Sequence, residues 1–254
     1  MARSNAPPNP IRIGIAGWSI ARQHAARVPG AGTHLQRCAQ HLGAAEINSS
    51  FYRPHQPRTY ARWAEAVPPD FRFSVKLPKE ITHTRRLVGA SAPLRAFLGE
   101  VAGLGEKLGP VLIQLPPSLA FEPAAEKFFE LIRRRFDGAL VCEPRHRSWF
   151  TQRAGRALRR ARIARVAADP ALVPAAAQPG GWDGLRYYRL HGSPRMYWSA
   201  YLMRYLARLA RQLRRDAAEA PTWCIFDNTG LGHALANALA LQERLGLGSG
   251  CRPL

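Results

Sequence analysis

FRFSVKL, residues 71–77, followed at once by Pro78, is the stretch on which the fold turns. Phe71, Phe73, Val75 and Leu77 share one face of an extended chain, and Arg72, Ser74 and Lys76 share the other. Pro78 cannot donate to a ladder and ends the strand. The result is a short strand, apolar on one side, that finishes in an ionisable residue. Working outward, similar runs are IRIGIAG (11–17), AAEINS (44–49), VLIQL (111–115), ALVCEP (139–144), IARVAAD (163–169), LRYYRLH (185–191) and WCIFDN (223–228). That makes eight strand-like runs, and helical pattern usually follows each. Eight strand–helix units are what an α/β protein of the TIM-type (β/α)8 barrel class needs, and such barrels collect their chemistry at the C-terminal strand ends.

The helices read as follows. Thr33 caps a helix carrying Leu35, Cys38, Ala39 and Leu42, and Pro57 starts a short one running through Trp63. Residues 78–90 read as a long loop containing His83, Arg85 and Arg86, a length that is uncommon unless functional. A helix is expected over 91–108, another around Phe128, Phe129, Leu131 and Ile132, and a basic one over 151–162. The sixth helix is weak, because 170–181 holds two internal prolines and reads equally as loop. Strong helices follow over 201–216 and 230–246. No composition shift marks a linker, so 11–246 is expected to be one barrel domain. A polar, Pro-rich, disordered extension (1–10) precedes it and a tail (247–254) follows.

Thirty-seven Lys and Arg stand against seventeen Asp and Glu, a net charge of +20. A compositional preference for Arg accounts for Arg over Lys but not for the scarcity of acids. The balance therefore points to an anionic partner: nucleic acid, a phosphorylated metabolite or an anionic surface. The pairs and triplets at Arg133–Arg135, Arg159–Arg160 and Arg214–Arg215 fall in helices and are expected on the outer surface. The four cysteines form no CxxC pair, the first ten residues form no secretory signal, and no apolar run nears the about 20 residues of a membrane helix. A reducing cytoplasmic setting with no membrane association is the expectation. Oligomeric state and cofactors are left unassigned.

Charges on a strand are costly to bury under the covering helices. Glu46, Lys76, Gln114, Glu143, Arg189 and His191 are therefore expected to point into the barrel mouth. Glu143 and Glu46, with Asp169 and Asp227, supply up to four carboxylates, and adjacent carboxylates serve as general acids and bases. Glu143, His191, Asp169 and His146 are the catalytic candidates. Pairing of Glu143 with Arg145 or Arg189, and of Glu46 with Lys76, is the purely structural alternative. His83, His146 and His191 with carboxylates form a hydrolytic metal set in type, but no HxH or HExxH spacing supports one, and no metal ligand is assigned. Tyr52, Trp149 and Tyr197 border these positions as stacking surfaces. Lys76, Arg145 and Arg189 would hold an anion, with Glu46, Asn48, Tyr52, His83, Gln114, Trp149, Tyr197 and Asn228 completing the ligand-binding set.

Taken in order, several segments resemble one family. They are Ala16-Gly-Trp-Ser19, Glu46-Ile-Asn48 with Phe51-Tyr-Arg53, Phe71-x-Phe-x-Val-Lys76, Thr82-His83 with Arg86-Leu87, and Leu108-Gly109 with Gln114-Leu-Pro-Pro117. Glu143-x-Arg-His146 with Ser148-Trp149, Tyr188-x-Arg-Leu-His-Gly192 and Asn228-Thr229 complete the series. Together, over about residues 11–245, they resemble the YecE-like family, domain of unknown function 72. The resemblance implies a single TIM-type barrel and implies no activity. The chain departs from the family pattern at Pro144, where a Phe is common, at Asp227, where an Asn is common, and in its basic charge. The extra carboxylate at Asp227 would bring a metal or neutralise Arg189.

These residues describe a polar, cationic pocket that binds a phosphate-bearing or other anionic small molecule, with hydrolysis as the reaction class if the chain is an enzyme. The alternatives are non-catalytic nucleic-acid binding and a metal-dependent phosphodiesterase acting on nucleic acid.

Overall fold

The computed structural model describes residues 9–247; most of the expected disordered extension and of the expected tail lies outside the described residues. Ten strands are assigned: β1 (Ile11–Ala16), β2 (Ala44–Ile47), β3 (Arg72–Lys76), β4 (Leu108–Gln114), β5 (Leu140–Glu143), β6 (Ile163–Arg165), β7 (Ala167–Asp169), β8 (Gly180–Gly181), β9 (Arg186–Leu190) and β10 (Thr222–Phe226). Their order in the sheet is β7-β9-β10-β1-β2-β3-β4-β5-β6-β8. Every neighbouring pair is parallel except β6 with β8. The two ends of the parallel ladder, β6 and β7, are consecutive in the chain and separated only by Val166. One stretch therefore bonds β5 with its first half and β9 with its second. The Val166 N–H still donates to Cys142 O at 2.9 Å across that break. The result is a nearly closed TIM-type barrel in which eight runs of chain make the wall, as the alternation at 71–77 and its counterparts imply.

The helices are α1 (His34–Ala39), α2 (Ser49–Tyr52), α3 (Pro57–Glu65), α4 (Ser91–Val101), α5 (Pro123–Arg135), α6 (Gln152–Arg160), α7 (Met203–Ala217) and α8 (His233–Leu245). Thr33 caps α1 in a reciprocal capping box with Gln36. Three details differ from the sequence reading. The stretch 78–90 is not plain loop: Glu80–Thr84 forms a π-helical turn that buries Ile81 and Thr82. The helix expected over 91–108 ends at Val101, continues as a 3-10 turn, and breaks at Gly105 with φ 51°. β4 starts at Leu108 rather than at 111. Gly109 is needed inside the barrel: a Cβ there would sit 2.7 Å from the Trp223 indole. Between β7 and β9 no α-helix forms. A 3-10 turn at Pro174–Ala177 leads into β8, in keeping with the two prolines that weakened the helical reading.

Two large clusters of apolar side chains lie between the strands and the helices, and a third fills the barrel itself. The interior cluster includes Ala44, Leu112, Val141, Ala164, Val166, Tyr187, Trp223 and Ile225. Full burial of each large member contributes about 1.5–3 kcal/mol. Trp223 stacks on Tyr187 with centroids 6.0 Å apart and planes 13° from parallel, which stoppers the N-terminal end of the barrel. One step further along each strand, on the same inward face, come Glu46, Lys76, Gln114, Glu143, Arg189 and Asp227. Apolar packing below thus forces these polar side chains into a layer at the C-terminal strand ends. No helix among the described residues is long and apolar enough to cross a membrane.

Candidate functional site

Arg189 stands at the centre of that layer and is fully buried. Its Nε donates to Glu46 Oε2 at 3.1 Å and its Nη2 to Glu46 Oε1 at 2.6 Å, a bidentate pair. Nη1 donates to Glu143 Oε2 at 2.5 Å, and Nη2 also donates to Asp227 Oδ2 at 2.9 Å. Three carboxylates from β2, the end of β5 and the end of β10 thus converge on one guanidinium delivered by β9. Beneath them, the Tyr187 hydroxyl donates to Glu46 Oε2 at 2.9 Å and lies 2.8 Å from Ser74 Oγ. Arg145, just beyond β5, covers the cluster: its Nε donates to Glu143 Oε1 at 2.7 Å, and its side chain keeps 17% exposure.

His191 is wedged between two of the acids. Its Nδ1 lies 3.1 Å from Asp227 Oδ2 and its Nε2 lies 2.9 Å from Glu143 Oε1. Arg145 Nη2 is also 2.9 Å from that same Nε2. A guanidinium only donates, so a neutral His191 accepts from Arg145 and gives its Nδ1 proton to Asp227. A cationic His191 donates to both carboxylates and then faces the Arg145 charge. The two protonation states satisfy different neighbours.

Burial alone would raise the Glu143 carboxyl pKa, but Arg189, Arg145 and His191 outweigh it and hold the group well below the usual carboxylate range. Asp227 is lowered in the same way, against its burial, by Arg189, His191 and Lys76. Tyr187 moves well upward, through burial and the Glu46 charge. Three carboxylates against the two guanidiniums of Arg189 and Arg145 leave one negative charge in the cluster. A single proton on either His191 or Lys76 balances it.

Lys76 does not pair with Glu46, contrary to the structural alternative raised by the sequence. Glu46 is spent on Arg189. Lys76 is 8% exposed, and its Nζ sits 4.0 Å from the centroid of the Phe51 ring, which α2 holds beside the end of β3. Burial chiefly, then Arg189, pulls its pKa from 10.5 to about 8, against the pull of the carboxylates. Phe51 also meets His83, ring centroids 5.0 Å apart and T-shaped, and the His83 Nδ1 is 2.9 Å from Thr82 Oγ1. Burial, Lys76 and Lys79 together lower the His83 pKa.

The structure does not gather every candidate here. Asp169 leaves the mouth: its carboxylate faces the α7 side of the wall, where the Tyr201 hydroxyl donates to Oδ1 at 2.8 Å. Residues 163, 165, 167 and 169 alternate with the inward Ala164 and Val166, so strand parity itself points Asp169 outward. His146 is tied into its own loop, with Nδ1 2.9 Å from Ser148 Oγ. Trp149 is fully buried core rather than a stacking surface: its Nε1 donates to Leu119 O at 2.8 Å, and its ring packs on Phe121 and Phe129. Tyr52 is 78% exposed and meets only the edge of Phe51 among the aromatic contacts. Tyr197, 40% exposed, does border the site: its N–H donates to His191 O, and its ring lies edge-on to the imidazole at 5.8 Å.

Gln114 stands beside Glu143 in register. Asn48 precedes α2, and its Oδ1 is buried without a hydrogen-bond partner. Asn228 donates from Nδ2 to Ser199 O and Asn237 Oδ1, fastening the loop after β9 to α8, while its own Oδ1 has no partner. Two contributors were not assigned as site residues from the sequence: Asp227, counted among the four carboxylates and as a neutraliser of Arg189 or a metal-bringing group, and Tyr187, which shares a face with Arg189 two residues on. Among the described residues no group of three His, Cys, Asp or Glu is arranged to hold a metal, because the carboxylate oxygens point at Arg189 and Arg145.

A TIM-type barrel with a buried ionic cluster at its C-terminal strand ends is the class that fold and site define. Comparison with known proteins narrows this. The profile of the family "Protein of unknown function DUF72" matches residues 12–252, and the chain belongs to that family. UPF0759 protein YecE of Escherichia coli K12 is 30% identical over 173 residues, which is 65% of this chain and 61% of that protein. UPF0759 protein YunF of Bacillus subtilis is 26% identical over 149 residues, 56% of this chain and 52% of that protein. The matched region thus spans between half and two thirds of these relatives. Among solved structures, a DUF72 family protein from Enterococcus faecalis superposes with a TM-score of 0.79 at 24% identity, covering 94% of this chain and 96% of that one. One from Thermotoga maritima gives 0.77 at 24% identity, covering 93% and 99%.

Proposed function

We propose that the barrel mouth is the site of an enzyme that binds a small anionic molecule, phosphate-bearing or carboxylate-bearing, at Arg145 and couples that binding to protonation of His191. The observation that carries this reading is the shared Nε2 of His191, 2.9 Å from both Arg145 Nη2 and Glu143 Oε1. An anion arriving at the partly exposed Arg145 draws the guanidinium toward itself. His191 then loses its donor, takes up a proton, and donates to Glu143 and Asp227 together. When the Nε2–H bond to Glu143 is exchanged for one to the leaving group, the imidazolium becomes a general acid supported by Asp227. Protonation of a leaving group followed by attack of water is the step such an acid serves, and hydrolysis of an anionic substrate is the favoured reaction class. Glu143 orients the ring, Arg145 anchors the anion, and Arg189 with Glu46 holds the acids in place.

Calorimetric titration with inorganic phosphate in buffers of different ionisation enthalpy tests this. Saturable binding accompanied by proton uptake is expected, and Arg145→Ala should weaken it at least about tenfold, the worth of a charge-assisted hydrogen bond. Binding without proton uptake, or none, overturns the reading.

One observation favours a second reading. α6 carries Arg153, Arg156, Arg159 and Arg160, all exposed, with no acid in its sequence, and exposed arginines of α7 lie beyond the neighbouring β8 segment. Such a face suits a polyanion. Nucleic-acid binding there would weaken steeply with added salt and would survive Arg145→Ala.

A further inference from the structure

We propose that Lys76 is a nucleophilic amine that captures a carbonyl compound as an imine, so that the mouth accepts an aldehyde or ketone carrying an anionic group. The proposal rests on the anion site of the preceding section only for the second half of that substrate's description.

Four observations carry it. Lys76 ends β3 at the barrel mouth and is buried, yet among the described residues no carboxylate lies within ion-pairing distance of its Nζ, since Glu46, Glu143 and Asp227 are all engaged by Arg189, Arg145 and His191. Its contact is instead the Phe51 ring at 4.0 Å, an apolar face that solvates an ammonium far less than water does. Arg189, in the same layer, adds a like charge. Lastly, Lys76 is one of only four lysines in the chain, with Lys79, Lys107 and Lys127, against thirty-three arginines. A chain that uses Arg almost everywhere for positive charge keeps an amine here. An amine does what a guanidinium cannot: it gives up its proton near neutral pH and offers a lone pair. The lowered pKa of about 8 agrees with this geometry.

The step balances without a cofactor. The Lys76 ammonium releases one proton, and the Nζ lone pair adds to the carbonyl carbon. The nitrogen of the adduct gives up a proton and the carbonyl oxygen takes one up, forming a carbinolamine; its hydroxyl departs with the remaining N–H proton as water and leaves the imine, which is neither oxidation nor reduction. His191 and solvent are the proton carriers at hand. The charged and titratable groups facing the amine are Arg189 on β9, Glu46 on β2, Glu143 on β5, Asp227 after β10, and His83 with Lys79 in the segment after β3.

The test is reductive trapping. The full chain is incubated with glyoxylate and cyanoborohydride, which supplies the hydride that fixes an imine, and the four lysines are compared by peptide mass mapping. Lys76 should be modified at least about tenfold faster than exposed Lys79 and Lys127, with a rate that saturates in glyoxylate and rises through about pH 8. Modification of Lys76 no faster than of Lys79 overturns the proposal. Lys76→Arg should abolish the fast phase. A neutral aldehyde, propanal, separates the two readings. If it traps Lys76 as fast as glyoxylate does and phosphate does not compete, the amine stands and the anion site falls. If phosphate binds but neither aldehyde marks Lys76 preferentially, the anion site stands and the amine falls. Should Lys76→Arg fail to fold, the lysine-by-lysine comparison in the unaltered protein still decides.

Discussion

Two cations share the charged layer of this barrel and are treated in opposite ways. Arg189 is gripped by Glu46, Glu143 and Asp227 through four hydrogen bonds, and each of those acids reaches it from a different strand. Lys76 lies in the same layer on β3 with its Nζ against the face of Phe51 and, among the described residues, without a carboxylate at ion-pairing distance. The difference separates structure from reactivity. A buried charge with every nitrogen bonded to a carboxylate is locked in place and ties strands together, though it adds little net stability relative to an apolar filling. A buried charge without a partner destabilises the fold, and it persists where chemistry uses it.

The sharpest way to break that comparison is Arg189→Met. It leaves three buried carboxylates facing one another without their common donor, and removing one side of a buried ion pair costs about 3–5 kcal/mol. Soluble expression and the thermal midpoint should both collapse. A variant as stable as the parent would mean that the clasp does not hold the barrel. Glu143→Gln is milder because the shape is kept: it should cost about 2 kcal/mol, from weakened bonds to Arg189, Arg145 and His191.

Glu143→Gln should also change the acid limb of stability. Glu143 titrates lower in the folded protein than its ordinary 4.5, so its contribution is full above that value and is lost as pH falls toward the folded pKa. The gap between parent and variant, measured by denaturant unfolding, should therefore narrow as the solution is acidified below about pH 4.5. A constant gap would place the effect in packing rather than in charge.

The strands and the rim were legible because alternation is a local property. FRFSVKL and LRYYRLH each say which of their residues share a face, and Glu46, Lys76, Glu143, Arg189 and His191 meet as that reading requires. The pairing within the rim was legible in part: Glu143 meets Arg145 and Arg189 as the sequence suggested, but Glu46 meets Arg189 rather than Lys76. Arg189 reaches Glu46 across β10 and β1, a span fixed by barrel curvature and stagger, not by any spacing along the chain. Asp169 misled because its position at a strand end was weighed and its parity was not. Trp149 misled because a short 3-10 turn after β5 carries its ring back under the neighbouring loop to Leu119. The absent helix before β9 was half legible, in the two prolines of 170–181.

The smallest expected effect has the opposite sign and sharpens the comparison most. Lys76→Met keeps the length of the side chain, removes the unpartnered ammonium and leaves an apolar contact for Phe51. In the folded protein Lys76 titrates near 8, against 10.5 when free, so between these values the unfolded chain binds more protons. Stability of the parent must then rise with pH across that window, and the penalty of burying the charge is fully present below about pH 8. Lys76→Met should thus be more stable than the parent by on the order of 1–2 kcal/mol at pH 7, with the advantage shrinking toward zero as pH approaches 10.5. A destabilised variant at pH 7 would show that the amine is bonded after all, and the contrast with Arg189 would be one of degree. A stabilised variant that no longer traps glyoxylate would identify a residue whose presence weakens the fold and whose chemistry is lost when the fold is strengthened, the trade expected of a reacting group and not of a structural one.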